Sequence, residues 1–334
     1  MEDRRISLLE SYDLQVLRTY KGRGALICET DKGLKILREF SGTSGRVALQ
    51  DKLLQHIKSS GNCQVDCYVK NKEDQILVTD RMNISYALKD WYEGTECNVK
   101  SMEEISAAAK NLAMLHRLMQ VPAWEEIQEM PMHSMKEECE KHTRELKKIR
   151  SFMRNRSRKS EFELYFAKHY DLFFAEAITI IDEMKQWDEE AFLLEVRKTG
   201  QLCHGEYTYH NILMNKQEIA TVNFEKFQLD TGMRDLYQFM RKVSEKNDWD
   251  INIGKQILES YESVCPITKE ERRNLYFRLA YPDKFWKTAN YYYNSNKAWI
   301  PEKNTEKLRK LVEQNQAKHS FLQQVMLQSR KSFC

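Results

Sequence analysis

An α+β fold in two lobes, a small β-rich lobe followed by a larger helical one, is what this sequence predicts. Three observations predict it. Short apolar runs punctuated by glycine-containing turns fill residues 14–79. The periodicity becomes helical from near residue 100. A polar loop, His204 to Asn211, then precedes a short apolar strand, Ala220 to Val222, that runs into Asn223. At 334 residues the chain is long enough for two cores, and 41% hydrophobic against 31% charged residues fits a globular protein rather than a disordered one. A net charge of +3 gives no general signature of polyanion binding. No run of about 18 apolar residues predicts a membrane span, and Met1 to Arg5 lacks the apolar core of a signal peptide. Eight cysteines at 28, 63, 67, 97, 139, 203, 265 and 334 form neither a CxxC pair nor a zinc pattern. They read as reduced thiols of an intracellular protein.

Leu14 to Leu17 and Ala25 to Thr30 read as strands around the turn Lys21-Gly22-Arg23-Gly24. Asp31-Lys32-Gly33 is a second turn, leading into a third strand, Leu34 to Arg38. Val47, Leu49, Leu53, Leu54 and Ile57 have helical spacing. Cys67 to Val69 and Gln75 to Thr79 read as the last two strands of this lobe. Ser101-Met102-Glu103-Glu104 predicts a capping box, and Ile105, Ala108, Ala109, Leu112 and Leu115 make one apolar helical face behind it. Residues 134–187 read as long helices, and no proline lies between Pro131 and Pro266. The expected division is a lobe of residues 1–96 and a helical lobe of 97–334 containing the loop segment 204–225.

Three strands, a helix and two strands is the order of a kinase N-lobe. The loop strengthens that reading, since His204-Gly205-Glu206 lies five residues ahead of Asn211 in the layout of a kinase catalytic loop. There a carboxylate accepts the proton of an attacking hydroxyl, and an asparagine holds magnesium. Glu206 is the candidate catalytic base, and Asn211, Asn223 and Glu225 are the candidate metal ligands. Asn223 brings no charge to a metal, so Glu225, on the same face of an extended chain, is a possible substitute. Lys35 on the third strand is the candidate nucleotide-phosphate ligand, with Arg38 competing for the role. The expected helix partner, a Glu, is missing, with Gln50 and Asp51 as the nearest polar residues.

The remaining features have plainer readings beside the functional ones. Asp90 to Gly94 could hold a ligand's ring in the crossing between lobes, or be a polar loop. His116 is expected to be structural, satisfied by backbone near its helix end. Asp235 is expected to hydrogen-bond the catalytic-loop backbone. Residues 141–160 carry nine Lys or Arg and one acid, Glu145, which reads as a solvated face. Nucleic acid is not expected as a partner, since Phe152 is the only aromatic in that run.

On these residues the chain resembles the CotS-like spore coat proteins, within the aminoglycoside phosphotransferase and choline kinase branch of the protein-kinase-like fold. The resemblance extends from the Leu34-Lys35 strand to about residue 322. Beyond the loop it rests on Arg234 to Lys242, on Tyr281-Pro282-Asp283-Lys284-Phe285-Trp286-Lys287 and on Asn294 to Ile300. It implies a two-lobed fold, synthesis in the mother-cell cytoplasm, then a place in the spore coat, with other coat proteins or coat components as partners. The wider superfamily implies ATP, Mg2+ and a hydroxyl acceptor. The sequence departs from it at Glu206 and Asn223, where Asp is usual. Two functions are therefore expected to compete: a degenerate kinase acting in coat structure or assembly, and an active ATP/Mg-dependent phosphotransferase.

Overall fold

A computed structural model of the chain describes residues 5–216, 218–294 and 302–327. Its N-terminal region is built on an antiparallel sheet. Strands β1 (Val16–Gly22), β2 (Ala25–Thr30) and β3 (Gly33–Glu39) follow one another directly. The β1–β2 hairpin closes through Arg23 and Gly24, both at positive φ, the two-residue turn whose twist suits a hairpin. Helix α1 (Ser44–Ser59) starts at Thr43, whose hydroxyl accepts from the Arg46 amide. It buries Val47, Leu53, Leu54 and Ile57, the face given by their spacing.

Four short strands follow: β4 (Gln64–Val65), β5 (Tyr68–Val69), β6 (Leu77–Thr79) and β7 (Ser85–Asp90). Strand β7 was not foreseen. It is central to the sheet, pairing with β3 along its length and with both β5 and β6. Ser85-Tyr86-Ala87-Leu88-Lys89-Asp90 has no β-branched residue, so propensity hides it. Tertiary burial makes it a strand, with Tyr86 to Lys89 buried on both faces.

Strand β8 (Thr95–Glu96) leads into helix α2 (Met102–Leu118). Ser101 caps that helix, but the reciprocal half of the box is absent: the Glu104 carboxylate accepts instead from the Asn98 amide at 2.7 Å. A short α3 (Glu125–Gln128) precedes the long α4 (Met135–Arg154) and α5 (Glu161–Met184), then α6 (Glu189–Thr199). The basic segment falls largely on α4. It buries Leu146, Ile149 and Met153 and turns most of its cations to solvent, where Arg150 pairs with Asp171. Strands β9 (Leu202–Cys203), β10 (Ile212–Asn215), β11 (Glu218–Thr221) and β12 (Gln228–Leu229) frame the loop segment. Here the two regions share a sheet of order β4-β11-β10-β8, in which β4 runs parallel to β11.

Helices α7 (Met233–Lys246), α8 (Ile251–Glu262), α9 (Lys269–Ala280), α10 (Asp283–Asn294), α11 (Glu302–Glu313) and α12 (Asn315–Phe321) complete the helical region. Residues 295–300 of the Asn294 to Ile300 motif lie outside the described residues. Tyr281, from the other motif, is buried with its hydroxyl 3.0 Å from the Cys139 carbonyl and 2.8 Å from Thr143 Oγ1. The seven described cysteines are free thiols, six of them buried. Among the described residues no helix is long and apolar enough to cross a membrane.

An aromatic core joins α4, α5, α10 and α11. Phe285, fully buried, stacks on Phe173 and Phe166 with ring centroids 4.4 Å and 4.9 Å away. Removing that ring leaves a cavity between helices that cannot fully collapse. Phe285→Ala is expected to cost about 3–5 kcal/mol, read as a lowered urea midpoint with an unchanged m-value.

Candidate functional site

The loop after β9 is fixed by its backbone before any side chain reaches the cleft. Gly205 has φ +80°, and a Cβ there would lie 2.0 Å from the Lys226 carbonyl oxygen, so only glycine fits. Asp235, wholly buried at the start of α7, accepts from the His204 amide at 2.6 Å and the Gly205 amide at 2.8 Å. That is the backbone-holding role expected of it. The same carboxylate lies 3.3 Å from His116 Nε2, and His116 Nδ1 lies 2.7 Å from the Tyr261 hydroxyl. His116 is thus structural, but its partners are two side chains rather than backbone. His204 Nδ1 accepts from the Glu206 amide at 3.1 Å, which leaves Nε2–H to donate to the Val222 carbonyl at 3.0 Å. The ring so ties the loop to the end of β11, and it packs on Phe224.

Of the five residues singled out in the sequence, Glu206, Asn211, Asn223 and Glu225 line one cavity of about 420 Å³ between the sheet and the helical region. Lys35 does not. Side chains alternate along β3, and Lys35 points to the face away from this cavity. Its Nζ donates to Asp90 Oδ1 at 2.9 Å and to the Lys32 carbonyl at 2.6 Å. Arg38, three residues on and so on the opposite face, is the β3 cation that lines the cavity.

Arg38 Nη1 donates to Asn223 Oδ1. Asn223 Nδ2 donates to Asn211 Oδ1 at 2.7 Å, and Asn211 Nδ2 donates to the Glu206 carbonyl at 2.9 Å. A guanidinium has no acceptor, so Arg38 alone sets the direction of this relay: Asn223 must offer it oxygen, and then both amides are fixed. Asn223 is not in an extended strand. It sits at φ +71° and opens a 3-10 turn, Phe224–Lys226, so alternation does not place Glu225 beside it.

Beneath this relay lies a buried ion pair that sequence reading missed. Lys89 Nζ, on β7, is 2.7 Å from Asp66 Oδ2 and 3.3 Å from Glu225 Oε1. Asp66 Oδ2 also accepts from the Asn223 amide at 3.0 Å. Burial by itself would lower the Lys89 pKa, but Asp66 and Glu225 outweigh it and raise it. Burial likewise works to raise the Glu225 carboxyl, yet Lys89 and Arg38 leave it below its ordinary value. A lysine directly after the apolar run Tyr86-Ala87-Leu88 was the available signal that Lys89 is buried.

The donor set does not fit magnesium. A hard dication needs near-octahedral oxygen ligands with negative charge among them. The Asn223 and Asn211 side-chain oxygens already accept N–H groups, and Asp66 Oδ2 and Glu225 Oε1 are both on Lys89, leaving Asp66 Oδ1 as the one buried carboxylate oxygen of the cluster without a partner. Among the described residues there is no group of three or more His, Cys, Asp or Glu able to hold a metal ion.

Glu206 is half-exposed and pairs with Lys226 at 3.0 Å. It also lines a second cavity, of about 360 Å³, against α4, α7 and α10, with His142, Arg241, Lys242, Asp283 and Lys287. A carboxylate thus stands where the two cavities meet.

Asp235 gives the site a pH signature. Burial would raise its pKa, but His116 and the His204 amide hold it below the ordinary carboxylate value. A depressed folded value stabilises above the unfolded pKa of about 3.9, and the contribution is lost as pH falls through the folded value. Asp235→Asn is expected to cost about 2–3 kcal/mol at neutral pH, since it strands buried donors. The gap from the unaltered protein should close in urea unfolding as pH drops below about 4.

Three likenesses bear on this geometry. "Spore coat protein S" of Bacillus subtilis (strain 168) is 23% identical over 306 residues, covering 90% of this chain and 86% of that protein. An aminoglycoside phosphotransferase from Alicyclobacillus acidocaldarius superposes with TM-score 0.86 at 18% identity, over 97% of this chain and 95% of that one. A spectinomycin phosphotransferase solved with ADP and spectinomycin superposes with TM-score 0.68 at 12% identity, over 94% and 97%. At these identities the solved structures show the fold, the two-lobed one that the kinase-like loop predicts. The family model described as "Spore coat putative kinase YutH" matches residues 5–325, nearly the whole described chain, and the protein belongs to that family of kinase-like spore coat proteins.

Proposed function

We propose that this chain is a coat protein that keeps the kinase-like fold as a scaffold and has given up metal-dependent phosphoryl transfer. In this reading it is made in the mother-cell cytoplasm, enters the coat, and acts there in structure or assembly through other coat proteins or coat components. One observation supports it: Arg38 donates into Asn223, the position where the resemblance implies a metal-binding aspartate, and Asn223 in turn donates to Asn211. Phosphoryl transfer depends on positioning and on neutralising charge at the phosphates, and the metal supplies much of that.

An active phosphotransferase, using ATP and Mg2+ on a small-molecule or coat-component hydroxyl, is the competing reading. It is favoured by Glu206, which reaches the junction of the two cavities on a well-anchored loop. In that reading Glu206 accepts the hydroxyl proton, with a carboxylate one methylene longer than the usual Asp.

Steady-state ATP turnover with magnesium and a panel of hydroxyl acceptors separates the two. The scaffold reading expects the unaltered protein and Glu206→Gln to be equal and at background. A rate that falls about 100-fold or more in Glu206→Gln, the weight of a general base, and is raised by Glu206→Asp would sink it and establish the enzyme.

A further inference from the structure

We infer that the protein pairs with a second copy of itself through the outward face of α5, the two helices running antiparallel. This is independent of what the cleft does, since no α5 residue lines either cavity beside Glu206. One face of α5 builds the aromatic core, with Phe162, Phe166, Tyr170 and Phe173 buried. The opposite face carries Leu164, Ala167, Lys168, Asp171, Leu172 and Ala175, all exposed and spaced to share one side of a helix. Leu164 is 58% exposed and Leu172 49%, so two leucines stand in water just over two turns apart. An apolar stripe framed by polar side chains marks an interaction surface.

The order of these six residues identifies the partner. Lay a second α5 against the first in the opposite direction, centred between His169 and Tyr170. Lys168 then faces Asp171 of the second copy, and Asp171 faces its Lys168. Leu164 faces Ala175, and Leu172 faces Ala167. Each large side chain meets a small one, the pattern that lets facing helices interlock. Each contact occurs twice, as a two-fold axis requires. Sliding the helices by three residues one way sets Lys168 against Lys168, and the other way Asp171 against Asp171. Like charges thus oppose the neighbouring registers.

The surrounding charges leave the contact open and limit its strength. Lys168 makes no hydrogen bond or ion pair among the described residues. Asp171 pairs with Arg150 of α4 at 3.0 Å, but its side chain is 77% exposed and can take a second cation. The two-fold axis puts the α4 flanks of both copies on one side. Arg150 and Lys147, which lies over the Phe174 ring, repel their counterparts there. At the ends of the overlap Glu161 meets Ile178, a mismatch eased because Arg309 holds the Glu161 carboxylate.

The test is sedimentation velocity of the full chain in a concentration series reaching about 100 μM, where a dimer of micromolar Kd is largely formed. The unaltered protein should dimerise. Lys168→Glu and Asp171→Lys should each weaken the dimer about tenfold or more, since each sets like charges face to face. Mixed in equal amounts, the two variants should pair with each other, because a mixed dimer regains both opposite-charge contacts. These side chains are exposed, so reversing them tests the contact without threatening the fold. Lys255→Glu, exposed on α8, is the control and should change nothing. A monomer at every concentration would overturn the inference and leave the face to a different partner. So would a dimer that both reversals leave intact, a mixture that stays monomeric while the unaltered protein pairs, or an equal loss in Lys255→Glu.

Discussion

A guanidinium can only donate, and that one-sidedness organises the cleft. Arg38 takes the side-chain oxygen of Asn223, which turns the Asn223 amide nitrogen to Asn211 and the Asn211 amide nitrogen to the Glu206 carbonyl. Three side chains on three different elements lose their rotational choice to one contact. Were Asn223 an aspartate, it would meet Arg38 as an ion pair and have no hydrogen to give Asn211. The neutral residue is therefore not a simple loss of a metal ligand. It is the residue type that lets a cation on β3 be coupled to the loop.

Beneath this relay the charges are placed in depth. Lys89 and Asp66 are both almost fully buried, and such a pair repays its dehydration only when the geometry is good and other hydrogen bonds help. Here Asp66 has a second donor in the Asn223 amide, and Lys89 a second carboxylate in Glu225. Arg46 adds a tie from α1, its Nη2 donating to the Glu225 and Phe227 carbonyls at 2.9 Å and 2.7 Å. The segment around Asn223 is thus held from β3, β5's approach, β7 and α1 together. Strain at its positive φ is met by contacts on every side.

The sequence carried the loop clearly, because its chemistry is local: a fixed spacing from Glu206 to Asn211 and a glycine that no other residue can replace. Asp235 was legible for the same reason, lying in a run that starts the next helix. What was hidden depends on facing and depth. Lys35 and Arg38 are three residues apart, and which of them faces the cleft is decided by strand register, which composition does not encode. Strand β7 mixes helix formers with Tyr86 and carries no β-branched residue, and burial on two faces makes it a strand. The pairing of Asp66 with Lys89 was not legible, since nothing near either one announces a partner 23 residues away.

The shared sheet bears on how the two lobes move. Strand β4, from the N-terminal region, lies parallel to β11, pairing Gln64 with Ala220 and Val65 with Thr221. Swinging the lobes apart about the chain crossing near residues 91–94 would tear this ladder and pull Arg46 from two carbonyls at once. The β4–β11 ladder and the Arg46 bonds, which reach the cavity wall itself, tie the two regions together and resist wide opening. Exchange at the cavity is then easiest by side chains turning at its rim, a faster class of motion than rigid-body displacement.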